Sequence, residues 1–257
     1  MPSADVETTP VPAGAGYTYA ARLEAIRRAK LAQTEEKRRI IGSMDHDDHA
    51  LILPPEERRK VVQSISGSGM PITDVLIDGL EMESNHPSGG FFGAGAVGRN
   101  YRRVLEAQPP YVDRNSSLAG AYMVNYGSYR KVPWNPDLDY SHLRPERERY
   151  QLVGAIGAQQ HFCQDLAIGL RLGWGGLAEK VARFRPLHPE AAEFYDGLES
   201  VILGMQAWIG STARAARALA EAEPDAAVRR NLEEVAAINE GLASEPPRTF
   251  REACQWI

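Results

Sequence analysis

The chain has 257 residues, with 34 acidic against 29 basic side chains and a formal charge of −5. That balance excludes a nucleic-acid binder working by bulk positive charge, and 43% hydrophobic with 25% charged residues is the composition of an ordinary globular protein. No run of 18 apolar residues is present to span a bilayer, Met1–Tyr19 lacks the basic-then-apolar layout of a secretory signal, and Cys163 and Cys254 make neither a disulfide framework nor, by themselves, a zinc site. A reducing cytoplasm is the expectation.

Residues 1–18, rich in proline and small polar residues without apolar periodicity, read as a mobile tail. From Ala20 to Ile41 the apolar positions Leu23, Ile26, Leu31 and Ile40 alternate with charges, and glycine and proline are absent. This predicts a solvent-facing helix with Glu24 and Arg28 spaced for an i,i+4 pair. Pro54-Pro55-Glu56-Glu57 suits the start of a short helix running to Ile65, and Val75-Leu76-Ile77 suits a short strand. Asn85 to Gly93 reads as an ordered loop and Gly98 to Gln108 as a further helix. Pro109 to Arg149, rich in Tyr, Pro, Asn and Asp, is long for a connection and predicts a lid, a binding loop or a wrap over a larger body.

The last third has the clearest pattern. Phe194, Leu198, Val201, Ile202, Met205, Trp208, Ile209 and Thr212 follow i, i+3, i+4, i+7 spacing, which continues through Ala215, Ala216 and Leu219 and predicts an amphipathic helix of about seven turns. Glu223-Pro224-Asp225 interrupts it; Asp225 is a good N-cap for a second helix with Val228, Leu232, Val235 and Leu242 on its apolar face. The two form an αα-hairpin. After Pro246-Pro247, the run Thr249-Phe250-Arg251-Glu252 reads as a capping box, with the chain reaching Ile257 soon after it opens a helix. The expectation is that 257 residues are the front part of something longer, against the alternative of a short helix docked on the core.

Three clusters could carry chemistry. Met44-Asp45-His46-Asp47-Asp48-His49 offers His46 and His49 with three carboxylates, the makings of a metal hydrolase, although their i,i+3 spacing differs from the i,i+4 of zinc proteases and suits a solvated polar turn. Gly93-Ala94-Gly95-Ala96-Val97-Gly98 fits G-x-G-x-x-G, but without a preceding strand it reads as a place of close backbone approach rather than a dinucleotide site. In Gln160-His161-Phe162-Cys163-Gln164-Asp165, a helical conformation would put His161 and Asp165 on one face, where the carboxylate could orient the imidazole for proton transfer. The competing reading is a buried histidine satisfied by a helix neighbour.

The segment from His161 to Phe184, with His-x-x-x-Asp followed by Ile168-Gly169-Leu170 and Gly175-Gly176-Leu177, resembles the glycyl radical enzymes, the family of pyruvate formate-lyase and the glycerol and choline dehydratases and lyases. So does the acidic, alanine-rich hairpin Ala218–Glu223 and Asn231–Glu240 followed by Pro246-Pro247-Arg248-Thr249-Phe250-Arg251-Glu252-Ala253. The resemblance covers about Gln151 to Ile257. It implies a mainly α fold, the N-terminal helical portion of a larger α/β barrel, with residues 19–257 the first part of a pyruvate formate-lyase-type domain that continues further. It also implies radical lyase or dehydratase chemistry on a small oxygenated substrate under anaerobic conditions, and a homodimer. The glycyl radical would lie in a missing C-terminal part and be installed by a partner enzyme using S-adenosylmethionine and an iron–sulfur cluster. By the resemblance, His161 matches a substrate-contacting histidine and Asp165 keeps its offset. No catalytic residue, metal or bound cofactor is expected in this chain, since Cys163 and Cys254 stand in other motifs than the family's active cysteine. The alternative from a different class is a free-standing helical interaction module without catalysis.

Overall fold

The computed structural model describes residues 18–41, 77, 79–121, 129, 135–151 and 165–257. Within them lie helices α1 (Tyr19–Ile41), α2 (Ala94–Ala107), α3 (Arg144–Arg149), α4 (Leu166–Phe184), α5 (Ala192–Ala222), α6 (Ala226–Leu242) and α7 (Phe250–Trp256). A short antiparallel ribbon joins β1 (Pro110–Tyr111) to β2 (Gly120–Ala121), with Tyr111 opposite Gly120. The described residues are thus mainly α, as expected. The helix expected over Pro54–Ile65, all of the strand expected over Val75–Ile77 except Ile77, and the His46/His49 cluster lie outside them.

The predicted hairpin is the spine of the structure. α5 runs for 31 residues, somewhat longer than its apolar stripe indicates, and α6 packs along it. Asp225 caps α6 as its residue type predicts, accepting from the N–H groups of Ala227 (2.8 Å) and Val228 (3.0 Å). Small residues let the helices approach: Ala216 on α5 meets Val235 and Ala236 on α6, while Ala220 meets Val228 and Leu232. Val112, just after β1, covers both clusters. At the hairpin's turn Glu223 is clamped by Arg114, whose Nε and Nη2 donate to its two carboxylate oxygens at 3.0 and 2.8 Å.

α2 crosses the first half of α5 and starts one turn earlier than its sequence indicates, at Ala94 instead of Gly98. The reason is tertiary. Glycine-rich residues are poor helix formers, but Glu193 in the first turn of α5 accepts the Gly95 N–H at 3.1 Å, placing a carboxylate at the positive end of α2. The loop before it is ordered by side-chain amides. Asn85 exchanges two hydrogen bonds with the backbone of Phe92, and fully buried Asn100 does the same with Glu83.

The stretch expected to be a long connection carries the β ribbon, a 3-10 turn at Ser141–Leu143 and α3. Just before that turn, Asp139 accepts from both the N–H and the hydroxyl of Ser141, which hold its carboxyl below the usual range. α1 is a helix with an exposed apolar side, as the sequence implies, and Glu24 and Arg28 are 3.9 Å apart on it. Its Arg22 reaches the body, donating to Asn115 O at 2.5 Å.

Candidate functional site

Of the two residues expected to touch substrate, His161 lies outside the described residues and Asp165 lies at the first end of α4. Asp165 has cap geometry (φ −76°, ψ 86°), and its carboxylate accepts the Ala167 N–H at 3.0 Å, so α4 begins after it. Asp165 is exposed, which leaves the second carboxylate oxygen open to solvent or a ligand.

One turn beyond Asp165, Gly169 is buried against the Trp256 indole so tightly that any β-carbon there would overlap the ring. A turn further, Gly173 takes φ +61° and kinks α4, in a conformation that L side chains rarely adopt. A β-carbon on Gly173 would stand 2.5 Å from Pro246 N, and the Gly175 N–H donates to Ser244 O at 2.7 Å. The glycine pattern of this segment therefore seats the Ser244–Pro246 turn against α4. Trp174 between them stacks on Trp256 with ring centroids 5.4 Å apart.

That turn leads into α7, where the predicted capping box forms in full: Thr249 Oγ1 accepts the Glu252 N–H at 3.2 Å, and Glu252 Oε2 accepts the Thr249 N–H at 3.0 Å. Gln255 pairs with the backbone of Ala119 like a neighbouring strand, accepting its N–H at 2.7 Å and donating to its carbonyl at 3.3 Å. Arg251 ties α7 to the rest by donating to Ser117 O and Asn231 Oδ1 and pairing with Glu234. A cleft of about 240 Å³ opens between α7, α5 and α6, lined by Trp208, Thr212, Asn239 and Trp256 among others. Sequence reasoning placed Trp208 and Thr212 on the stripe of α5 and assigned none of these four residues to a site. The signal was available: Thr212 and Asn239 are polar residues among the buried positions of two amphipathic helices.

The G-x-G-x-x-G segment serves close approach, as expected, since Gly98 meets the backbone of Gly197 at the crossing of α2 and α5. In the loop before it, His86 accepts the Ser88 N–H at 3.0 Å through Nδ1 and meets Asp137 at 2.9 Å through Nε2, joining two distant loops. Tyr129 accepts the Ile77 N–H at 2.6 Å, and burial raises its phenol above the usual value. Among the described residues no three His, Cys, Asp or Glu side chains gather as a metal site, and no helix is long and apolar enough to cross a membrane.

Residues 153–257, from just before His161 to Ile257, match the family model described as pyruvate formate lyase-like. The chain is 39% identical over 62 residues to the 4-hydroxyphenylacetate decarboxylase glycyl radical subunit of Clostridioides difficile, covering 24% of this chain and 7% of that one. It is similar in fold to the solved structure reported for 1,2-propanediol dehydration in Roseburia inulinivorans, with a TM-score of 0.50 and 14% identity over 70% of this chain and 28% of that one. A further likeness, 27% identity over 150 residues, links it to streptopain of Streptococcus pyogenes serotype M1, covering 53% of this chain and 35% of that one. The chain thus spans a small part of the length of the glycyl radical relatives it matches. Residues 153–257, which contain α4 to α7, thus match the pyruvate formate lyase-like family model, and the chain is similar in sequence to a glycyl radical subunit.

Proposed function

We propose that this chain is the N-terminal portion of a glycyl radical lyase or dehydratase that acts on a small oxygenated substrate in an anaerobic cytoplasm. The observation that carries the reading is that the described part of the family match, residues 165–257, forms a continuous structural unit: the α5–α6 hairpin, the Pro246 turn seated on Gly173 and Gly175, and the capped α7. In this reading the radical relay lies elsewhere in the enzyme, and the 257 residues alone are inactive. Chemistry enters through a glycyl radical installed by an activating enzyme that uses S-adenosylmethionine and an iron–sulfur cluster, and the whole enzyme is a homodimer.

Within this portion, His161 is the proposed substrate contact. It would hydrogen-bond a substrate hydroxyl and help water leave by proton transfer. Asp165 lies four residues on and starts α4, where its free carboxylate oxygen can orient the imidazole.

The test is to follow the gene's reading frame past the codon for Ile257, express its whole product anaerobically with the activating enzyme, and record the radical by electron paramagnetic resonance. A doublet from a glycyl radical and turnover of a diol or related substrate are expected. His161→Ala should lower turnover at an unchanged radical yield. A natural stop codon after Ile257 would overturn the enzyme reading in favour of a free-standing helical module, and unchanged turnover in His161→Ala would remove the substrate contact alone.

A further inference from the structure

Trp256 touches α4 on both sides of its break. Because α4 is kinked at Gly173, residues 166–172, with Asp165 capping them, form a half-helix whose direction the rest of α4 does not dictate. The buried residues of α4 are Gly169 and Gly173, and both are covered by the segment that follows α6: Gly169 by the Trp256 indole, Gly173 by the backbone of Glu245 and Pro246. Past the kink, Trp174 stacks on the same indole, with ring centroids 5.4 Å apart and planes at 24°. One side chain thus spans the two halves. Its own place is held from outside α4, since the neighbouring Gln255 exchanges two hydrogen bonds with the Ala119 backbone and Arg251 donates to Ser117 O.

This contact acts on a lever. Along the helix axis Gly169 lies about 6 Å from the kink and Asp165 about 12 Å, so a shift of ~1 Å at Gly169 becomes ~2 Å at Asp165. Misplacing a substrate-binding group by about 1 Å can cost roughly a hundredfold in rate. We propose that Trp256 is a positioning residue: by packing on Gly169 and stacking on Trp174 it sets the angle between the halves of α4, and so where Asp165 presents its free carboxylate oxygen. This role rests on Asp165 belonging to the substrate site, as proposed above, and Trp256 acts through α4 rather than on the substrate.

The test uses the whole activated enzyme, with kcat and KM measured separately, the glycyl radical counted by electron paramagnetic resonance, and amide exchange followed over residues 166–172. Gly169→Ala, whose methyl overlaps the indole, and Trp256→Leu should each lower kcat about tenfold or more at an unchanged radical yield, and quicken exchange over 166–172. Combined, the two losses should fall well short of their product, because both act at one contact. Trp256→Phe, which keeps a ring against Gly169, should retain most of kcat. Gly98→Ala, which overpacks the crossing of α2 and α5, should leave kcat unchanged below its melting temperature. Where a Trp256 variant does not fold, the contrast between Gly169→Ala and Gly98→Ala decides. An active enzyme in which Gly169→Ala keeps full kcat, in which the losses multiply, or in which Gly98→Ala loses as much would overturn the positioning role and leave the enzyme reading standing. An unaltered enzyme without radical or turnover would instead overturn the enzyme reading, and this role with it.

Discussion

Gly98 on α2 and Gly197 on α5 meet backbone against backbone, and Gly197 in turn leaves room for Ala94 O. A side chain at either position would push the two helices apart, so this pair sets how deeply α2 can lie on α5 and how closely Glu193 can approach the start of α2.

Gly98→Ala gains roughly 1 kcal/mol of helix propensity but drives a methyl into backbone that cannot swing aside. Overpacking of this kind costs about 1–3 kcal/mol or more. The expected net effect is destabilisation, read as a lower denaturation midpoint. Gly210→Ala, on the same α5 but with only the Arg214 guanidinium in reach at 3.5 Å, should raise the midpoint, through a stability gain of up to about 1 kcal/mol. Equal effects from the two substitutions would contradict the close crossing.

Gly169 and Trp256 should be coupled in a double-mutant cycle. Gly169→Ala overlaps the indole, whereas in the background of Trp256→Leu the same methyl has room. The interaction free energy between the two substitutions should be favourable and of order 1 kcal/mol. Additivity would mean that α7 does not rest on α4 in solution.

Thr249→Ala removes the acceptor for the Glu252 N–H, at a cost of about 1 kcal/mol. Because α7 has seven residues, most of the loss should appear as local opening. Amide exchange should quicken at Glu252 and Ala253 by roughly fivefold while the α5–α6 amides keep their protection.

Arg114→Ala leaves the Glu223 carboxylate, with only 8% of its side chain exposed, without its two strongest donors. Stranding one partner of a buried pair is more costly than losing an exposed one, and the expected loss is about 2–3 kcal/mol. Arg114→Ala combined with Glu223→Gln should recover part of it in a denaturant melt.

Asp139 gives a pH signature. Its folded-state carboxyl titrates below the unfolded value because Ser141 donates to the charged form. Its contribution is therefore present above the unfolded value, near 3.9, and lost as pH falls through the lower folded one. The Ser141 amide resonance should titrate below that reference, and Ser141→Ala should move the Asp139 midpoint upward.

Local rules were enough to read the hairpin and its caps. Asp225 and Thr249 cap where their side chains can reach the free N–H groups of a helix start, and the apolar faces of α5 and α6 follow from their 3.6-residue period. The glycines of the G-x-G-x-x-G run were legible as places of close approach. Which backbone they meet was not, since Gly98 and Gly197 are distant in sequence and nothing in either neighbourhood names the other. The early start of α2 was hidden for the same reason, because the carboxylate that supports it comes from α5.

The sequence by itself determined the helical class, the caps, the family resemblance and the candidates His161 and Asp165, because these depend on residue type and short spacing. Only the tertiary structure decided that Gly169 and Gly173 form a seat for Trp256 and Pro246, and that Thr212, Asn239 and two indoles border one cleft. Those relationships join residues of different helices, and helix packing in three dimensions, not spacing along the chain, brings them together.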